Sequence, residues 1–531
     1  MYFNTRFKVE DFFMDLKKQS VRQNIEKAKE FLQITLDDDY IIKDNKPDAL
    51  KIICCQGSAE IEDRRISGES VWITGKLVFS VLYRCDDSNR KPEALKAAIP
   101  FQEKVYVAGI EESDRINICC KVEDLSVGLI NSRKMSVRAL LNIEVIVDRI
   151  EEIEMASQVS EKSLEVEELI EEKDMLCLTM AKKDVLRIRK ELQLPKSKPN
   201  ILNIIYDYGD LRNIDYEEKE DKLSVTGELH IFILYESEEG ECEWYETVTD
   251  FSGNISLDES ERPVWWVKLE PTQIQLWAET DFDGEQRQIG MELVFDVSIK
   301  CWKEQQIAIL KDVYSLNENI EPVYRKEKTW QLLMKNFAKC SVSEQIKMTA
   351  GEEKIMQICS SKSQVMIERM TPVERGLEVE GVLSVETLYI TSDDGFPMVH
   401  RTDQLPFTQL IEAPGLMKEC SYDVTSSVET LQVNLLDNTE FEIKATINTM
   451  LFALKSEEIF VIDGINVCEA NESEDDLPGM TGYMVTEKER LWDIAKQYKT
   501  TVKNIMEINE LESDEVLPGD KIMIVKSPIR C

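Results

Sequence analysis

Three stretches of this chain close on nearly the same words: GKLVFSVLY at 75–83, GELHIFILY at 227–235 and GVLSVETLY at 381–389, with one spacing from glycine to tyrosine throughout. The register extends upstream, where KPDALKI at 46–52 aligns with KPNILNI at 198–204. In the third copy the same offset falls on Glu353 and gives EKIMQI without the proline. Downstream, Pro100-Phe101 and Pro406-Phe407 stand equally far past their tyrosines, while Phe251 comes two residues earlier in the middle copy. Each copy ends on an alternating apolar run, Val137 to Val147, Ile289 to Ile299 and Ile443 to Leu451, the period-two signature of half-buried strands. A period of about 150 residues makes these domain-sized copies, since solenoid and propeller units run ~20–50 residues. The repeated glycine reads as a bulge or a close backbone approach, and the Leu-Tyr pair as a core leucine beside a tyrosine whose hydroxyl finds a partner at the rim.

The expected fold is therefore mainly β: three tandem β-rich domains with helical connectors, followed by a small βααβ domain. Residues 1–36 read as an N-terminal helical segment, because Val21, Ile25, Ala28 and Leu32 fall at helical spacing between Asp15 and Leu36. Repeat 1 is expected over 37–160, repeat 2 with its helical connector over 161–320, and repeat 3 over 321–468. The connector reading rests on the acid-rich helix formers of Glu165 to Glu172 and on Ala181 to Leu192, where Val185, Leu186 and Ile188 sit among lysines and arginines.

An acidic linker follows over 469–481, built around the polar run Asn471 to Pro478, and a separate module spans 482–526. Tyr483 to Val485 is strand-like. Leu491, Ile494, Ala495 and Tyr498 form one face of a short helix, and Val502, Ile505 and Met506 begin a second that ends at Asn509, a residue suited to a left-handed cap. Pro518-Gly-Asp520 turns into a last strand, Lys521 to Val525. Trp492 falls off the helical stripe, which makes it the expected anchor of a protein-binding surface, with packing against the second helix or the linker as the alternative.

The order strand, helix, helix, strand, with LWDIA at 491–495 and LPGDKIMI at 517–524, resembles the LysM module. That resemblance implies binding of N-acetylglucosamine polymers through the loops after the first strand and before the last. Where the family usually carries Gly-Asp-Thr ahead of Leu-Trp, this chain has Lys488, Glu489 and Arg490, so a protein partner is expected instead, contacted by Lys488, Glu489, Arg490 and Trp492. The repeat words resemble the SPOCS domain of endospore-forming bacteria, and tandem SPOCS domains capped by a LysM resemble the SipL family of spore-coat assembly proteins. The resemblance implies a non-enzymatic scaffold in the mother-cell cytosol, associated with the forespore surface, that recruits a SpoIVA-like coat ATPase through its LysM.

The bulk properties agree with that reading. A chain of 531 residues exceeds the roughly 250–300 at which one core stops growing, so it must divide into domains. Acidic residues outnumber basic ones 102 to 64, and the net charge of −38 repels nucleic acid and anionic lipid alike, so that any membrane contact needs a local basic patch. No stretch approaches the ~18 apolar residues of a membrane span, and Met1 to Lys18 lacks the apolar core of a signal peptide. The 13 cysteines include no C-x-x-C pair and read as buried reduced thiols.

Enzymatic chemistry has little material. Only His230 and His400 are present, and acidic pairs such as Glu151-Glu152 and Asp393-Asp394 are what composition alone gives. Gly68 to Gly75-Lys76 has six intervening residues and is followed by Leu77, so it fails the phosphate-loop pattern. No catalytic residue, cofactor or metal is expected. The competing expectation is a peptidoglycan- or cortex-binding protein that uses its LysM in the usual way.

Overall fold

The computed structural model describes residues 14–86, 91–160, 165–219, 221–257, 264–349, 354–392, 397–468 and 479–525. The acidic run Asn471 to Pro478, Glu353 and the pair Asp393-Asp394 lie outside them. Each repeat is a six-stranded sandwich. Repeat 1 runs β1 (Leu16–Ile41), β2 (Ala49–Ile66), β3 (Ser70–Cys85), β4 (Pro92–Tyr106), β5 (Arg115–Asn131) and β6 (Lys134–Val159). Repeat 2 runs β7 (Val166–Gln193), β8 (Ile201–Lys219), β9 (Lys222–Ser237), β10 (Cys242–Ser256), β11 (Val264–Glu279) and β12 (Gln288–Ser315). Repeat 3 runs β13 (Asn319–Lys347), β14 (Ile355–Val373), β15 (Gly376–Thr391), β16 (Met398–Glu412), β17 (Ser421–Asp437) and β18 (Glu440–Cys468).

In every repeat the second, third and fourth strands form an antiparallel meander, and the last strand pairs between the first and the fifth. The two sheets close on an apolar core; in repeat 1 this includes Leu77, Phe79, Val81, Tyr83, Leu141 and Val145. The repeated words now have physical roles. Gly75, Gly227 and Gly381 lie inside β3, β9 and β15 rather than at their starts, each directly opposite a phenylalanine: Phe101, Phe251 and Phe407. A Cβ would stand 2.7, 2.6 and 3.0 Å from the three rings, so the close approach expected from the sequence is made by an aromatic ring laid over the glycine. The Tyr83 and Tyr235 hydroxyls each donate to the carbonyl of the upstream proline, Pro47 and Pro199, at 3.2 Å.

The expected helices at the repeat starts are strands. Residues 16–36 belong to β1, and Glu165 to Leu192 fall almost wholly in β7, so neither the N-terminal helical segment nor the helical connector exists among the described residues. In β1 the cause is a bulge between Glu26 and Ala28. Before it the odd residues Val21 and Ile25 face inward, and after it the even residues Ala28 and Leu32 do. One extra residue thus converts a period-two pattern into gaps of four, three and four, which reads as a helix.

The sandwiches assemble as a ring. β4 packs on β8, β10 on β14, and β16 back on β2, so the same strand positions meet at all three seams. Leu82, Leu234 and Leu388, each just ahead of its repeat's tyrosine, share one buried cluster on the axis with Cys54, Tyr206 and Cys359. Further along, the long strands contribute Val21, Ile153, Met175, Ile307, Ile459 and Val461 to a second axial cluster. Full burial of each such aliphatic side chain stabilises by roughly 1.5–3 kcal/mol, which makes the ring one cooperative body.

Candidate functional site on the C-terminal module

The C-terminal module consists of β19 (Met480–Met484), α1 (Leu491–Gln497), α2 (Val502–Ile508) and β20 (Lys521–Val525), with β19 and β20 paired antiparallel. Leu491, Ile494, Ala495 and Ile505 are buried, with Val485, Ile522 and Ile524 beneath the helices. α2 starts where Thr501 Oγ1 accepts the Asn504 amide at 3.0 Å. Asn509 closes α2 in an ordinary right-handed conformation; the left-handed residue is its neighbour Glu510, with φ +51°. The Asn509 side chain instead ties the module together, donating to the Ile505 and Met523 carbonyls at 2.8 and 2.7 Å and accepting the Met523 amide at 2.6 Å.

Trp492 does not face a free surface. It is 8% exposed, its ring meets Tyr314 edge-on at 4.8 Å, and its indole N–H donates to Asp312 Oδ2 at 2.8 Å. Lys496 Nζ reaches the other oxygen of Asp312 at 2.7 Å, and the Tyr314 hydroxyl donates to the Thr500 carbonyl at 2.7 Å. Burial opposes charge on Asp312, but these hydrogen bonds outweigh it and hold the carboxyl below its ordinary value. Trp492 is thus held inside the molecule: the end of β12 supplies an aromatic ring beside the indole and a carboxylate for its N–H.

The three charged residues before α1 remain outside. Lys488 and Arg490 are exposed, and Glu489 is half-buried. Lys488 has φ +68°, so a long side chain occupies a left-handed conformation that favours glycine, at the position where the LysM pattern usually has one. Glu489 accepts the Tyr483 hydroxyl at 2.8 Å and the Thr486 amide at 2.9 Å, while Arg490 holds Asp493 with two nitrogens at 3.0 and 2.9 Å. Glu489 and Arg490 therefore brace the loop as well as presenting charge.

The surface the sequence reading missed is the outer face of the small sheet. Met480 and Met484 are 62% and 60% exposed and Met523 is 45% exposed, with Gly482 paired directly opposite Met523 and open space above it. The signal was present as period-two placement of Met480, Gly482 and Met484, hidden by the shortness of the strand. The two histidines lie in different repeats, His230 3.6 Å from Glu228 and His400 3.0 Å from Glu386, and converge on no common site.

The fold is a ring of tandem β-sandwich domains with a small βααβ module docked on the end of β12. Residues 48–130 and 354–436 match the family model of the SipL SPOCS domain, and residues 483–525 match that of the LysM domain. The chain thus carries SPOCS and LysM domains, the domain combination of a SipL-like protein, and both matched domain families are non-catalytic. The SPOCS matches fall on repeats 1 and 3, and the shared strand order and registers add repeat 2 as the same unit. No curated protein and no solved structure matches the chain. No helix among the described residues is long and apolar enough to cross a membrane.

Proposed function

We propose that this protein is a non-enzymatic adaptor of spore-coat assembly that recruits a SpoIVA-like coat ATPase to the forespore surface, acting in the mother-cell cytosol. The observation that carries the reading is the orientation of the LysM. Its α1 face is spent on the SPOCS body through Trp492, Lys496 and Thr500, which leaves the Met480, Met484 and Met523 face directed outward on a fixed support. Flexible thioether side chains on an exposed sheet suit a protein partner, because they adapt to its surface without a preformed pocket. Lys488, Glu489 and Arg490 add charged groups where the LysM pattern has its compact glycan-side turn.

Binding of the full chain to the coat ATPase, measured by surface plasmon resonance, tests this. Met480→Glu combined with Met523→Glu is expected to weaken binding by about tenfold or more, the equivalent of ~1.4 kcal/mol, while leaving the melting temperature unchanged. Unaltered binding by the double variant, or saturable calorimetric binding of chitin oligomers by the native chain, would overturn the proposal in favour of the glycan-binding reading.

A further inference from the structure

The ring places one lysine at each of its three seams. Lys29, Lys183 and Lys335 occupy the same register position on β1, β7 and β13, opposite Ile146, Ser298 and Phe452. Lys183 and Lys335 reach into the preceding repeat, and two of the three lysines have their charge satisfied. At the seam of repeats 2 and 3, Lys335 lies over the Tyr216 ring at 5.3 Å and donates to the Trp265 carbonyl at 2.9 Å. At the seam of repeats 3 and 1, Lys29 pairs with Glu144 at 2.8 Å.

The seam of repeats 1 and 2 is different. Lys183 donates to the Ile116 carbonyl at 2.7 Å, and Arg115, next to Ile116, donates to the Ala181 carbonyl at 3.0 Å, so the two cations interlock across the seam. The position that holds Tyr216 in repeat 2, opposite Val225, holds Arg64 in repeat 1, opposite Ile73. The position of Trp266, opposite Lys300, holds Arg115, opposite Asp148. Two aromatic groups have thus been exchanged for two guanidinium groups around one ammonium. Among the described residues Arg64, Arg115 and Lys183 enter no salt bridge, in a chain that carries 102 acidic residues.

The nearest carboxylates are committed elsewhere. Asp148 accepts from Lys300 at 2.7 Å, Asn117 at 3.0 Å and Asn24 at 3.2 Å, and Glu270, whose carboxyl burial pushes above its ordinary value, faces Lys268. Burial, and then repulsion from Arg64, push Lys183 down to about 8. Asp148 and Glu270 act on Lys183 without forming a direct ion pair with it, so the three exposed cations keep donors that an oxyanion can take up, and two guanidinium groups beside an ammonium are the donor types that oxyanions accept.

We propose that the seam between repeats 1 and 2 binds a phosphoryl group between Arg64, Arg115 and Lys183. The group is either free in solution or carried by a lipid headgroup. At physiological salt the Debye length is about 8 Å, so the chain's distant negative charge does not prevent a local contact of this kind.

The test uses the full chain with inorganic phosphate in one arm and vesicles of phosphatidylcholine with or without phosphatidic acid in the other. Calorimetry in the first arm and co-sedimentation in the second report binding. Arg64→Tyr and Arg115→Ser install residues that other repeats carry at these positions, so both variants are expected to fold, and each is expected to weaken binding by about tenfold or more. Lys335→Met, at the seam of repeats 2 and 3, is expected to leave binding unchanged. Saturable phosphate binding lost in Arg64→Tyr supports a soluble source. Phosphatidic-acid-dependent sedimentation lost in Arg64→Tyr, without free-phosphate binding, supports a membrane source. Absence of both, or binding that Arg64→Tyr and Arg115→Ser leave intact, overturns the proposal.

Discussion

Two residues show how much a single conformation or contact decides. At Gly75 a methyl group would stand 2.6 Å from the Glu60 carbonyl oxygen and 2.7 Å from the Phe101 ring, so the neighbouring strand and the ring would both have to move. Gly75→Ala is expected to destabilise the protein by about 1–3 kcal/mol, the usual cost of overpacking, read as a lower midpoint in denaturant. An unchanged midpoint would show that the glycine answers to something other than the ring above it. Lys488 presents the reverse case, a residue with a side chain held in a left-handed conformation that costs roughly 1–2 kcal/mol away from glycine. Lys488→Gly is expected to raise stability by up to about 1 kcal/mol, since the added freedom of the unfolded chain offsets part of the relief. A fall in stability would mean that the lysine side chain makes a compensating contact.

At the scale of elements, the parts legible in sequence were those whose periodicity stays in phase. The central strands and the closing strands alternate without interruption over the words that repeat, and the C-terminal module's order of strand, helix, helix, strand was read correctly from its spacing. The first strands of repeats 1 and 2 were misread, β1 because its bulge shifts the phase and both because their many Glu, Lys and Gln residues are good helix formers that tertiary pairing overrides. The burial of Trp492 was illegible for another reason: Asp312 and Tyr314 lie far upstream, and nothing local announces that a helix will dock on them. That docking has a pH signature. The Asp312 carboxyl is depressed in the folded protein, so its stabilising contribution is fully present above the unfolded value near ~3.9 and is lost as pH falls through the lower folded value. Tryptophan fluorescence of the full chain is expected to report a more exposed Trp492 as pH drops below about 4, and Asp312→Asn is expected to abolish that transition. Persistence of the transition in the variant would assign it to another group.

For the whole molecule, three seams of one design join three sandwiches, yet the chain passes continuously across only two of them. Repeat 1 runs into repeat 2 and repeat 2 into repeat 3, whereas repeat 3 meets repeat 1 by contact alone, through β16 on β2 and β18 on β6. Removing any one repeat uncovers two seam faces together with a share of both axial clusters, so the repeats are expected to melt in one calorimetric transition whose van't Hoff and measured enthalpies agree. Three separate transitions would mean that the seams contribute little. A linear polymer that forms a circle must own one clasp, and a clasp can open while the strand stays whole. Among the described residues, the face where β16 and β18 of repeat 3 meet β2 and β6 of repeat 1 is therefore where this ring can part without breaking a covalent bond or unfolding a sandwich.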